Sequence, residues 1–149
     1  MEWIATLQGE VVGLDTTPLI YFIEENPTYL ETIRPFFLAM DRGAFRVVTS
    51  TVTLLEVLVH PLRRGERKLA QLYRDILLGA EGLTTIPLSQ DIAEEAARLR
   101  ASHNIRTPDA IQMATALRAR ASHFLTNDTR LPSLPELKVL VLDELKTGS

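Results

Sequence analysis

The chain has 149 residues, a formal net charge of −3, 46% hydrophobic and 23% charged residues, and no cysteine. That length suits one domain with a substantial core, and the missing cysteines exclude both a disulfide framework and a thiolate metal site. The acidic balance argues against a general nucleic-acid-binding surface, and no apolar run approaches the ~18–20 residues of a membrane span.

Met1-Glu2-Trp3 lacks the basic and apolar regions of a signal peptide, so a cytoplasmic location is expected. Val11-Val12-Gly13-Leu14 is short, apolar and β-prone, and predicts a buried strand. Asp15-Thr16-Thr17-Pro18 follows, with Pro18 suited to the first position of a helix carrying Leu19, Ile20, Phe22 and Ile23. Asn26-Pro27 ends it, and a second helix runs from Thr28 to Met40 until Gly43 stops it. Phe45-Arg46-Val47-Val48-Thr49 predicts the second strand. Ser50 and Thr51 offer caps for a helix through Leu54, Leu55, Val57, Leu58 and Val59, which Pro61 should end.

An amphipathic helix is expected from Gly65 to Leu78, then a short strand over Leu83-Thr84-Thr85-Ile86-Pro87-Leu88. Ser89 caps a helix from Gln90 to Ser102 with an apolar stripe of Ile92, Ala96 and Leu99. Thr107-Pro108-Asp109 opens the next, with Thr107 as cap and Pro108 first. His123-Phe124-Leu125-Thr126 and Lys138-Val139-Leu140-Val141-Leu142 supply the last two strands, and Lys146-Thr147-Gly148-Ser149 is expected to be a disordered tail. Apolar strands alternating with helical stretches imply a single three-layer α/β/α sandwich around a mainly parallel sheet of five strands, with residues 1–145 as one domain.

Four carboxylates stand out against that frame. Asp15 follows the first strand, Asp128 lies two residues beyond the end of the fourth, Glu56 lies about a turn and a half into the helix after the second, and Asp109 is in the first turn of the helix leading into the fourth. An open α/β sheet directs all four positions to one edge, the carboxyl ends of its strands, where ligands bind. Each has an ordinary alternative: Asp15 as an N-cap, Asp109 on a helix dipole, Asp128 in a turn. Glu56 is harder to excuse, because it interrupts the apolar run Val52 to Val59. Gathered carboxylates repel and require a cation, and oxygen-only ligands suit Mg²⁺ or Mn²⁺ rather than Zn²⁺.

The scattered histidines His60, His103 and His123 lack the spacing of a zinc site. Thr17 excludes the Asp-x-Asp pair of a dehalogenase-type phosphatase, and Thr49-Ser50 and Asp143 do not suit a phosphoacceptor receiver domain. Arg63-Arg64-Gly65-Glu66-Arg67-Lys68 and Arg98, Arg100, Arg106, Arg118 and Arg120 offer positive charge for a phosphate backbone, although solvated helix faces explain each one singly. Trp3 reads as a packing anchor, and Tyr21 and Phe22 as core or interface residues rather than base-stacking ones.

Four segments together resemble the PIN-domain family of nucleases: Leu14-Asp15-Thr16-Thr17-Pro18-Leu19-Ile20-Tyr21, Thr49-Ser50-Thr51-Val52-Thr53-Leu54-Leu55-Glu56, Thr107-Pro108-Asp109-Ala110-Ile111-Gln112-Met113-Ala114-Thr115-Ala116 and Leu125-Thr126-Asn127-Asp128. Order, spacing and context match over essentially the whole chain. The resemblance implies a metal-dependent endoribonuclease, and the compact size resembles VapC-type toxins of toxin–antitoxin pairs. Asp15, Glu56, Asp109 and Asp128 match the family's acidic quartet. Asp15 and Asp109 would then be the primary Mg²⁺ or Mn²⁺ ligands, with Glu56 and Asp128 completing the site. Thr17 stands where many members carry Asn or Ser, and Thr126 matches the small hydroxyl before the last Asp. Thr16, Thr17 or Thr126 would hold a water or a phosphate oxygen. The resemblance further implies an RNA substrate, a protein antitoxin and a homodimer or higher even oligomer. A non-catalytic partner-binding module and a housekeeping RNA-processing nuclease are the alternatives.

Overall fold

The computed structural model describes residues 1–146. Five strands, β1 (Val11–Leu14), β2 (Arg46–Ser50), β3 (Leu83–Ile86), β4 (His123–Thr126) and β5 (Lys138–Val141), form one sheet in the order β3-β2-β1-β4-β5. Every neighbouring pair in it is parallel. Around it lie α1 (Glu2–Ala5), α2 (Thr16–Ile23), α3 (Leu30–Asp41), α4 (Thr51–Arg64), α5 (Arg67–Gly79), α6 (Gln90–Ser102), α7 (Thr107–Arg118) and α8 (Leu142–Leu145). Among the described residues no helix is long and apolar enough to cross a membrane.

Two apolar cores, one on each face, follow from the two-residue period of the strands. On one side Val12, Leu14, Val47 and Leu125 pack with Phe36 and Phe37 of α3 and Tyr73 and Leu77 of α5. On the other, Phe124 joins Ile92, Ala96 and Leu99 of α6 and Ala110, Met113, Ala114 and Ala116 of α7. Because parallel strands need crossover helices, both faces are covered and the central strands are apolar at nearly every position. Trp3 stacks on Phe36 with ring centroids 6.0 Å apart, which makes it the anchor expected of it.

Gly13 is the point of closest approach between helix and sheet. A Cβ at this position would lie 2.6 Å from the Ala116 Cβ and 2.9 Å from Phe124 Cδ1. The missing side chain lets α7 sit directly on β1, and Ala116 is the small residue that meets it.

Several element boundaries differ from expectation. Pro61 does not end α4, which continues to Arg64 with Pro61 buried inside it. The stop is Gly65 at φ 70°, where the left-handed conformation lets Glu66 N–H bond back to the Pro61 carbonyl at 2.8 Å. Pro18 is the third residue of α2 rather than its first, still within the turn whose N–H groups have no helical partner. Arg106, not Thr107, is the N-cap of α7, so Asp109 sits at the third helical position. The short helices α1 and α8 were not expected, Leu142 belonging to α8 and not to β5. Of the expected disordered tail, residues 147–149 lie outside the described residues, while Lys146 places its Nζ 4.9 Å from the Tyr29 ring centroid.

Replacing Gly13 with Ala should cost about 1–3 kcal/mol, the usual range for overpacking a core that cannot yield. Urea denaturation of Gly13→Ala beside the wild type checks this, and an unchanged midpoint would mean that α7 shifts without cost.

Candidate active site

The chain passes from β1 outward to β2 and β3 on one side, then returns to lay β4 and β5 on the other. Crossover loops therefore part between β1 and β4, leaving a crevice at the strands' carboxyl ends. Asp15 leaves β1 there, its N–H still bonded to the Leu125 carbonyl of β4 at 2.9 Å. Asp15, Glu56, Asp109 and Asp128 all line one polar cleft of about 560 Å³, together with Thr16, Thr17 and Thr126. The contact between Gly13 and Ala116 sets the phase of α7: Asp109 lies seven residues, two turns, before Ala116 and so shares its face.

Asp15 and Asp109 are each 9% exposed. Asp15 Oδ1 accepts the Thr16 N–H at 2.8 Å, the N-cap bond of α2, and Oδ2 accepts the Thr126 hydroxyl at 2.7 Å. Burial pushes its pKa up to about 6, the neighbouring Asp109 and Glu56 carboxylates add to the rise, and the bonds from Thr126 and Thr16 oppose it. Asp128 is held differently. Arg130 donates through Nε and Nη2 to its two oxygens, each at 3.0 Å, and through its backbone N–H at 2.9 Å. That guanidinium holds the Asp128 carboxyl below the usual carboxylate range despite partial burial, and Arg106 adds to the effect. Arg106 Nε reaches Asp109 Oδ2 at 3.4 Å.

A buried polar network ties α2, α4 and α7 to the ends of β1 and β2. Thr16 donates to Glu56 Oε1 at 2.6 Å, and Thr49 donates to the Leu14 carbonyl at 2.8 Å. The Thr49 and Thr53 hydroxyls lie 2.8 Å apart, so with Thr49's proton already used, Thr53 must donate to Thr49. The Gln112 amide nitrogen donates to Thr53 and, at 3.3 Å, to Thr16. Every hydroxyl proton is thus committed. Gln112 Oε1 is the network's one buried atom without a partner, and no hydroxyl has a proton left for it.

The structure therefore brings all seven sequence-indicated residues to one cleft, but with distinct surroundings. The Thr16 hydroxyl is committed inside the network and orients Glu56. Thr126 donates to Asp15 and accepts the Asp128 N–H at 3.0 Å. Thr17 lines the cleft, half-buried. Among the described residues no three acidic or histidine groups converge tightly enough to make a preformed metal site. Asp109 and Asp128 are each turned to an arginine, and Glu56 to Thr16.

Sequence reasoning missed Thr49, Thr53, Gln112 and Arg130. Gln112 carried a readable signal, being a polar residue in the otherwise small and apolar run Ala110 to Ala114. Arg130 had one too, since a residue two positions after an Asp is where an Asx-turn closes. Tyr21, expected to be a packing residue, stacks on Tyr29 with centroids 4.2 Å apart and also lines the cleft, its hydroxyl 3.3 Å from the Asn127 amide that donates to it.

The raised pKa of Asp15 has a stability consequence. Its folded value of about 6 exceeds the ordinary 3.8, so the folded state binds the proton more tightly, and stability is full below the unfolded value and lost as pH rises through 6. The loss amounts to roughly 3 kcal/mol once the carboxylate is charged. Asn keeps the N-cap role without the charge. In EDTA, Asp15→Asn should therefore melt above the wild type at about pH 8 and match it near about pH 4. A variant no more stable at the higher pH would show that the carboxylate is not strained.

A family model described as PIN domain matches residues 12–137. Among solved structures, VapBC2 from Rickettsia felis, determined bound to a DNA fragment from their promoter, superposes with a TM-score of 0.68 at 19% identity, covering 88% of this chain and 98% of that one. A toxin–antitoxin complex from Klebsiella pneumoniae gives 0.63 at 25% identity, with 85% and 94% covered. The Mycobacterium tuberculosis toxin VapC20, which cleaves the sarcin–ricin loop, gives 0.63 at 17% identity, with 76% and 86% covered. No curated protein is similar enough in sequence to count as a match. The family model spans the crevice and every strand bordering it, and the backbone superposes on VapC-type structures over nearly their full length; this chain belongs to the PIN-domain family.

Proposed function

We propose that the chain is a divalent-metal-dependent endoribonuclease, the toxin of a toxin–antitoxin pair, with residues 1–145 as its nuclease unit. The observation that carries this reading is the cleft itself, where Asp15, Glu56, Asp109 and Asp128, contributed by four distant segments, face one polar space at the switch point of a PIN fold. The solved relatives named as toxins, one of them a sarcin–ricin loop cleaver, support RNA as the substrate.

The donor set fits a hard divalent cation. Every acidic group offers carboxylate oxygen, and Asp15, its pKa raised first by burial and further by the Asp109 and Glu56 carboxylates, is a group whose charged form a bound cation would stabilise. Asp15 and Asp109 would hold Mg²⁺ or Mn²⁺, with Glu56 and Asp128 completing the site directly or through water. The chemistry supplied by the bound ion is activation of water and withdrawal of charge from the phosphate. The chain's own residues do the positioning. Thr126 fixes Asp15 by donating to Oδ2, and Thr16 fixes Glu56 by donating to Oε1, which leaves Glu56 Oε2 as the atom to take a proton from the attacking water. Burial of Asp15 and Asp109 keeps bulk water from screening these charges.

A protein partner suits the outer face of α4. Leu55, Val59 and Leu62 are 63%, 37% and 58% exposed and recur at a spacing of four and three residues, forming one apolar stripe on the helix that carries Glu56. An antitoxin covering that stripe would lie beside the cleft, in keeping with the antitoxin complexes among the solved relatives. The same apolar surface supports self-association as a homodimer.

Purified protein should cut a labelled mixed RNA pool in Mn²⁺ or Mg²⁺ and not in EDTA. Asp109→Asn should lower the rate by about a hundredfold or more while leaving the far-ultraviolet spectrum unchanged. Mn²⁺ should raise the melting temperature of the wild type more than that of Asp15→Asn. Undiminished cutting by Asp109→Asn would remove that residue from the site, and the absence of any Mn²⁺-induced stabilisation would remove the metal.

A further inference from the structure

Beyond the acidic cleft lies a second cavity, of about 430 Å³, walled by His103, Asn104, Ile105, Leu131 and Pro132. The two spaces are one trough, because Arg106, Asp109, Asp128 and Arg130 line both. The ridge between them consists of two ion pairs. Arg130 forks onto both oxygens of Asp128, and Arg106 reaches one oxygen of Asp109. The carboxylates are the buried partners, with side chains 12% and 20% exposed, while those of Arg106 and Arg130 are 72% and 76% exposed.

Exposed arginines pinned to half-buried carboxylates are weakly held, since solvent screens such pairs and two flexible side chains must be ordered to form them. A guanidinium fork binds a phosphodiester in the same planar, two-pronged way as it binds a carboxylate. The second cavity is also unlike the first in character. It is partly apolar, through Ile105, Leu131 and Pro132. Such a space offers an apolar surface against which a base can lie.

We propose that this second cavity is a nucleotide subsite for single-stranded RNA, and that Arg106 and Arg130 clamp the phosphate joining the nucleotide seated there to the one in the acidic cleft. Without RNA the two arginines rest on Asp109 and Asp128; with RNA they transfer to the phosphate and leave the carboxylate oxygens free. The inference rests on the nuclease reading above and adds to it the path of the substrate. It also accounts for RNA binding by a chain of net charge −3, because the positive charge needed is concentrated at two side chains beside the cut.

The test uses two readouts that must move in opposite directions. The first is Mn²⁺ affinity by calorimetry for wild type, Arg106→Ala and Arg130→Ala. Removing a cation that competes for the carboxylates should tighten Mn²⁺ binding about three- to tenfold. The second is affinity for a short fluorescein-labelled single-stranded RNA of mixed sequence, measured by anisotropy in Mg²⁺. It is done in the Asp15→Asn background, so that the RNA stays intact. Each alanine should weaken RNA binding about five- to tenfold and lower the salt slope by about 0.7. Arg46→Ala, at the exposed amino end of β2 on the opposite edge of the sheet, should change neither quantity. A variant that merely misfolds would lose both affinities.

Unchanged RNA affinity in both arginine variants, or weaker Mn²⁺ binding in them, would overturn the clamp while metal-dependent cutting still upheld the nuclease. Arginine-dependent capture of an acidic peptide in preference to the RNA would overturn it as well. Absence of Mn²⁺ binding by the wild type would bring down the nuclease reading, and the clamp with it.

Discussion

The fold hinges on how closely α7 lies against β1. Gly13 has no side chain and Ala116 has the smallest one that still defines a helix face, so helix and strand meet where any larger pair would be held apart. Traced back from that contact, α7 begins at the carboxyl edge of the sheet, and two turns before Ala116 the same face presents Asp109. Asp15 lies two residues past Gly13 in the same direction. Two carboxylates that repel are therefore brought together by apolar packing some distance away, in the core that also holds Met113 and Phe124. Packing supplies the free energy, and electrostatics only sets how much of it is consumed.

The polar network stiffens this arrangement. Thr16, Thr49, Thr53 and Gln112 come from α2, β2, α4 and α7, so their hydrogen bonds lock three helices to the strand ends at the place where the sheet offers no ladder bonds. With every hydroxyl proton committed, Glu56 has one oxygen fixed in orientation. The unpartnered Gln112 oxygen is the cost of that arrangement, because a buried acceptor left without a donor loses its hydration for nothing in return. Cores tolerate such a loss where something other than stability is being served.

Much of this was legible in the sequence, and the reasons are local. Parallel pairing follows from apolar segments separated by helices, although the order of the strands does not, and the four carboxylates declared themselves by standing at the ends of those segments. Glu56 was conspicuous because nothing in the pattern of α4 explains a charge between Leu55 and Val57. What the sequence concealed depends on contacts across the chain. Whether Pro61 ends a helix turns on whether the chain beyond can keep its remaining bonds, and here Gly65 ends it four residues later. The role of Gln112 exists only once Thr53 lies beside it, 59 positions away in the chain. The pairing of Arg130 with Asp128 was within reach of local reasoning. That of Arg106 with Asp109 needed the knowledge that Arg106, and not Thr107, caps α7.

The strand order has a consequence for how the molecule is made. β1, β2 and β3 are neighbours in sequence and in space, so the pairings of that half of the sheet all lie within residues 11–86. The crevice does not. Its far wall is β4, which pairs with β1 across a separation of 111 residues, from Val12 to His123. A chain halted during synthesis before that point owns Asp15 and Glu56 but neither Thr126 to orient Asp15 nor Asp128 to face it. Completion of the cleft is thus postponed to the last stretch of translation, and a product cut short before β4 lacks the wall on which Thr126 and Asp128 stand.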